Sequence, residues 1–150
     1  GAARIAGAIG AGGRYPASDL LIVDLGTATT SEAVSANREN LGGAIAPGLL
    51  VSMRALEQNT ARLPKVEIVR PGETCGRSTV ESIQSGLFWG HVGMVREIRD
   101  RLIRECFAGS TPVVVGTGGF AGLLNEAGVF DAVHPDLALE GVRLAQEMNQ

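Results

Sequence analysis

The chain has 150 residues, 45% of them hydrophobic and 19% charged, which is enough for one domain with a substantial buried core. The net charge is −3 and the basic residues are scattered among acids, which argues against a nucleic-acid footprint. No apolar run reaches the length of a membrane span and no signal-peptide pattern is present; two cysteines without partners at metal-ligand spacing fit a reduced, cytoplasmic protein.

The chain opens on glycine in what reads as the middle of a helix, so a fragment or a processed chain is expected. Residues 2–12, "AARIAGAIGAG", are the tail of that small-residue helix, closed by Gly12 and Gly13. Residues 20–24 form a continuous apolar run that ends in Asp24, the pattern of a strand buried on both faces. Residues 29–35 are rich in Thr and Val, residues 37–40 carry turn chemistry, and residues 41–46 make a third short strand. Short turns between these three predict an antiparallel meander. Pro47 then starts a helix over 48–59, with Leu49, Met53 and Leu56 at helical spacing.

Residues 66–69 read as a further short strand, stopped by Pro71 and Gly72. The next helix carries the clearest signal. Ser78 and Glu81 form a capping box, and Val80, Ile83, Leu87, Val95, Ile98 and Leu102 follow as one apolar stripe. Gly86, Gly90 and Gly93 share a face of it. Each costs about 1 kcal/mol against alanine in a helix interior, so close packing by a second helix or subunit is expected there. Residues 112–115 are a second buried strand, followed by "GTGG" and a helix over 120–126. A short strand within 129–133 and a helix over 135–149 complete the chain. Strands in series, followed by alternating helices and strands, predict an α/β fold with a mixed sheet and helices on its faces.

Two strand ends carry the chemistry. In "IVDLGTATT", a glycine after the strand lets backbone amides approach phosphate oxygens, and Thr27, Thr29 and Thr30 add hydroxyl groups. Asp24 supplies a hard oxygen for a cation. In "VVVGTGGF", Gly118 and Gly119 open a helix whose amides can face a nucleotide. Asp-x-Gly-Thr is also a good turn sequence and threonine a natural strand residue, so these residues alone leave a plain hairpin open. His91 and His134 have no ligand-spaced partners and read as structural, and 96–105 reads as the solvated face of a helix.

Taken together and in order, "DLGTATT", "LGGAIAPGL", "NTARLP", "GRSTVESIQSG" and "GTGG" closely resemble the C-terminal domain of type III pantothenate kinases, over nearly the whole chain. These enzymes belong to the actin-like, sugar kinase and Hsp70 ATPase superfamily. The resemblance implies an actin-like (ribonuclease H-like) domain, helices on both faces of its sheet, and an element order β-β-β-α-β-α-β-α. A second, N-terminal domain would be absent from this chain. It also implies ATP and pantothenate as substrates, with a monovalent cation (K+ or NH4+) and Mg2+ in support. A homodimer is the implied assembly, with the missing domain on the same chain or on a separate one. By matching position, Asp24 corresponds to the cation ligand, Gly26, Thr27 and Gly118 to ATP contacts, and Gly1, Arg4 and Thr79 to pantothenate contacts.

Two positions depart from the family pattern. Where the family carries the Asp that acts as general base, this chain has Ala3, which cannot accept a proton. Ser31 and Glu32 follow "TATT" where the family has an aromatic or apolar residue and then Asp. The first departure leaves a second reading open: a weakened or inactive kinase-like subunit that binds nucleotide or a partner chain.

Overall fold

A computed structural model describes the backbone of residues 2–59 and 66–148, and the side chains of 7–58 and 66–148. Helix α1 (Ala2–Arg14) leads into three strands, β1 (Leu20–Leu25), β2 (Ala28–Val34) and β3 (Asn40–Pro47). Helices α2 (Leu49–Asn59) and α3 (Thr79–Cys106) follow, then β4 (Val113–Thr117), α4 (Ala121–Asn125), β5 (Ala132–Val133) and α5 (Leu137–Met148).

The five strands form one mixed sheet in the order β3-β2-β1-β4-β5. The meander β1-β2-β3 is antiparallel, whereas β4 lies parallel to β1 and β5 parallel to β4. That is the ribonuclease H-like topology expected of an actin-like domain. β1 is central and buried along its length because its residues are apolar on both faces, as the uninterrupted run requires.

Alternation along β1 splits the core in two. Leu21, Val23 and Leu25 pack with α2, α3 and α4 through Leu49, Met53, Phe88, Val92 and Leu124. Leu20 and Ile22 point to the other side, against Ala11 of α1 and Leu137 of α5. α1 and α5 approach closely: a β-carbon at Gly10 would strike the carbonyl oxygen of Leu137 and lie 3.1 Å from the amide nitrogen of Gly141. A bidentate contact from Arg14 to the Glu140 carboxylate, at 2.8 and 2.6 Å, closes the outer edge of this pair.

Several expectations need correction. Residues 66–69 make no strand, so the expected element order gives way to α-β-β-β-α-α-β-α-β-α. Val66 is buried and Ile68 half-buried, so the apolar run is real, but β2 and β4 already occupy both ladder positions beside β1. The segment is held by side chains instead: Gln84 Nε2 donates to the Glu67 carbonyl, and Arg70 to that of Glu126. The glycines of α3 answer the expectation of close packing only in part. Gly86, Gly90 and Gly93 are solvent-exposed and no described atom lies within 4 Å of where their β-carbons would be, so none of the described helices packs on them. Val80, in the first turn of α3, is likewise exposed rather than part of the apolar stripe. Finally, α1 runs through Gly12 and Gly13 to Arg14, supported by its packing on α5.

Candidate functional site

The parallel pairing of β1 with β4 places Asp24 opposite Thr117, so both glycine loops leave the sheet at adjacent points. The loops are then laced together. Phe120 N donates to the Leu25 carbonyl at 3.4 Å, and a β-carbon at Gly118 would lie 2.6 Å from Asp24 Oδ1 and 2.7 Å from the Leu25 backbone. Gly118 has φ +91°, a conformation that a side chain disfavours. The position therefore demands glycine twice, through its backbone and through its neighbours. Its amide is engaged by the Pro135 carbonyl at 3.4 Å, so the loop residue that lines open space is Gly119.

Asp24 is half-buried, and burial pushes its carboxyl pKa up from the ordinary value. Among the described residues no group donates a hydrogen bond to that carboxylate. Oδ1 lies between Gly26 and Gly118, 3.3 Å from where a β-carbon on Gly26 would stand. A partly desolvated carboxylate without donors is costly alone and favourable beside a cation. Thr30 is the ladder partner of Asp24 and presents its hydroxyl on the same face. These oxygens suit a monovalent cation, which takes hard ligands. No cluster of three or more His, Cys, Asp or Glu side chains at metal-binding distance occurs among the described residues.

The three threonines of "GTATT" separate into three roles. Thr27 is exposed at the loop and lines a cavity of 260 Å³ with Leu25, Gly26, Leu50, Val51, Arg54, Gly119 and Phe120. Thr29 is buried and turns toward α3, where its Oγ1 lies 2.8 Å from His91 Nε2. Thr30 turns to the α1 and α5 face. Of the three, Thr27 is the one exposed at the loop. Glu32 is buried on the same face as Ile22, and its Oε2 accepts from Asn40 Nδ2 at 2.9 Å. Its charge is bound into the sheet.

Thr79 opens α3, where Ser78 Oγ accepts from Glu81 N at 3.1 Å and Glu81 Oε2 accepts from Arg77 N at 2.8 Å. Thr79 lines a larger, mostly apolar cavity of 1050 Å³ between α2 and α3, with Val51, Leu56, Ser78 and Ile83. Asp24, Gly26, Thr27 and Gly118 thus come together, and Thr79 stands in the neighbouring cavity. α1 packs beside β1 through Ala8 and Ala11, against Leu20 and Ile22. Gly1 and the side chains of Ala3 and Arg4 lie outside the described residues, as does most of "NTARLP".

Arg54 escaped the sequence reading. An arginine on an exposed helix face carries no periodic or motif signal, and only its position beside Thr27 gives it meaning. The buried pair His91 and Thr29 was also illegible, since 62 residues separate them.

Known proteins resemble this chain in sequence and in fold. The family model described as "Type III pantothenate kinase" matches residues 1–101. A type III pantothenate kinase of Legionella pneumophila (strain Corby) is 48% identical over 149 residues, covering 99% of this chain and 58% of that relative. One from Elusimicrobium minutum is 45% identical over 150 residues, again covering 58% of its length. The chain therefore spans a little over half of these relatives. Among solved structures, a conserved Campylobacter jejuni protein assigned to a Baf family of transcriptional activators superposes with a TM-score of 0.65 at 23% identity. The match covers 99% of this chain and 64% of that one, a likeness of fold. Over the greater part of its length, from the first residue through "GTATT" and well into α3, this chain belongs to the type III pantothenate kinase family.

Proposed function

We propose that this chain forms the C-terminal half of an enzyme that phosphorylates pantothenate with ATP, the reaction that begins coenzyme A synthesis. The pantothenate 4′-hydroxyl oxygen would attack the γ-phosphorus, the bond to the β-phosphate oxygen would break, and ADP, 4′-phosphopantothenate and a proton would be released. The observation that carries this reading is the pair of glycine loops laced at adjacent strand ends, with Asp24 Oδ1 between Gly26 and Gly118. Such transfer depends chiefly on positioning and charge neutralisation. Gly26, Thr27 and the loop that Gly118 shapes would hold the ATP phosphates, and Asp24 a monovalent cation (K+ or NH4+). Mg2+ would arrive with the nucleotide and neutralise phosphate charge. Gly1, Arg4 and Thr79 would contact pantothenate.

The remaining half of the site would come from an N-terminal domain, on the same or a separate chain, in a cytoplasmic homodimer. The exposed glycines of α3 and the apolar cavity at Thr79 support a second protomer at that face. The family comparisons favour an active kinase over an inactive subunit. Ala3 then implies a slow one.

The test is a coupled ADP-release assay of the full-length protein with ATP, pantothenate, Mg2+ and K+. Pantothenate-dependent ADP release is expected, with a gain of about 10²- to 10⁴-fold on Ala3→Asp, the usual worth of general-base assistance. Absence of pantothenate-dependent ADP release from both proteins would overturn the reading.

A further inference from the structure

Arg54 stands on α2 at the wall of the 260 Å³ cavity, opposite Gly119 and beside Gly26 and Thr27. It is the one ionisable residue in that lining. Its side chain is exposed and has no hydrogen bond or ion pair among the described residues. Nearby arginines are committed elsewhere: Arg70 to the Glu126 carbonyl, Arg96 to that of Ala127, and Arg99 to Asp100 and the Val129 carbonyl. Among the described arginines, Arg54 is the one that lines the cavity at the loops.

The surroundings favour an anion independently. α2 begins directly on the threonine loop: a β-carbon at Gly48 would collide with the Thr27 carbonyl and lie 2.7 Å from that of Gly26. The first turn of α2 contains no acidic residue, so the positive end of its dipole is not neutralised locally. Arg54, Thr27, Gly119 and the first turn of α2 through Leu50 therefore line one small cavity. The carboxylate of Asp24 is absent from its lining. Cation-seeking and anion-seeking groups are thus sorted to separate sides of the same pair of loops.

We infer that Arg54 grips the phosphate chain of the nucleotide, a contact that rests on the kinase reading above and assigns this site its charged anchor. The planar guanidinium suits bidentate pairing with phosphate oxygens. Since adenosine carries no phosphate, the contact separates polyphosphate recognition from recognition of the nucleoside.

The experiment is calorimetric titration of the full-length protein, and of its Arg54→Ala and Arg54→Lys variants, with ADP and with adenosine. Arg54→Ala is expected to weaken ADP about ten- to a hundredfold, as loss of a hydrogen bond to a charged group does, while adenosine stays within about twofold. Arg54→Lys retains the charge without the fork and falls between. In steady-state assays Arg54→Ala raises KM for ATP and leaves KM for pantothenate unchanged. Unaltered ADP affinity in Arg54→Ala, or parallel loss of ADP and adenosine, overturns the inference. A native protein that binds ADP yet transfers no phosphoryl group sinks the kinase reading alone. One that binds neither ligand sinks both.

Discussion

Gly118 and Asp24 form one unit although 94 positions separate them in sequence: the missing side chain of the first makes room for the carboxylate of the second, 2.6 Å from where a β-carbon would be. Gly118→Ala would impose a left-handed strain and a collision with Leu25 backbone at once. The strain alone costs roughly 1–2 kcal/mol, so a loss of about 2 kcal/mol or more is expected in urea unfolding. Nucleotide affinity falls with it. A variant with native stability would show that the loop relaxes freely.

Asp24 carries a stability cost that a bound cation would offset. Burial raises its folded pKa, so between the unfolded and folded values the native state holds more protons, and stability falls as pH rises through that window. Asp24→Asn should therefore raise the melting temperature of the cation-free protein at neutral pH and lose that advantage below the ordinary carboxylate range. It should also abolish stabilisation by added K+. Melting curves with K+ and with a large organic cation test both parts. An unchanged K+ effect would remove Asp24 from the cation site.

His91 predicts the opposite slope. Burial lowers its pKa in the folded state, so the neutral ring that pairs with Thr29 is favoured above the ordinary imidazole value of about 6.5. Stability is fully present there and declines as pH falls below that value toward the folded pKa, because the unfolded chain takes up the proton first. Replacing His91 with Gln should flatten this decline below about pH 6.5. His91→Ala should cost about 1–3 kcal/mol by leaving Thr29 Oγ1 buried without its partner. Denaturant unfolding across pH distinguishes the variants.

Gly10 and Arg14 offer a contrast on one helix. Gly10→Ala drives a methyl group into the Leu137 carbonyl, and a loss of several kcal/mol is expected because helix backbone must move. Arg14→Ala removes a well-formed but half-exposed ion pair with Glu140 and should cost far less than Gly10→Ala. Equal effects would mean that the α1 and α5 contact is looser than its geometry.

The legible parts of the sequence were those with local causes. The apolar run before Asp24 required a doubly covered strand, and Ser78 with Glu81 marked the start of α3 to the residue. The run at 66–69 misled because hydrophobicity does not distinguish burial by side chains from burial in a ladder; the vacancy beside β1 was taken by β4. The glycines of α3 differ, since the close approach they permit belongs to none of the described helices, whereas Gly10 on α1 has one. The loops themselves were legible as motifs. Their mutual contact, and the place of Arg54 beside them, depend on strand order, which no single segment encodes.

Strand order also fixes when the site comes into being. Leu20 pairs with Val113, so the β1–β4 ladder closes a loop of about ninety residues. The entropy of that closure must be met before either glycine loop finds the other. During synthesis the threonine loop emerges early and waits, shapeless as a binding site, until β4 is made. Nucleotide binding should thus appear only with the complete sheet, which makes a ligand-induced rise in melting temperature a report on global folding and not on a preformed N-terminal hairpin.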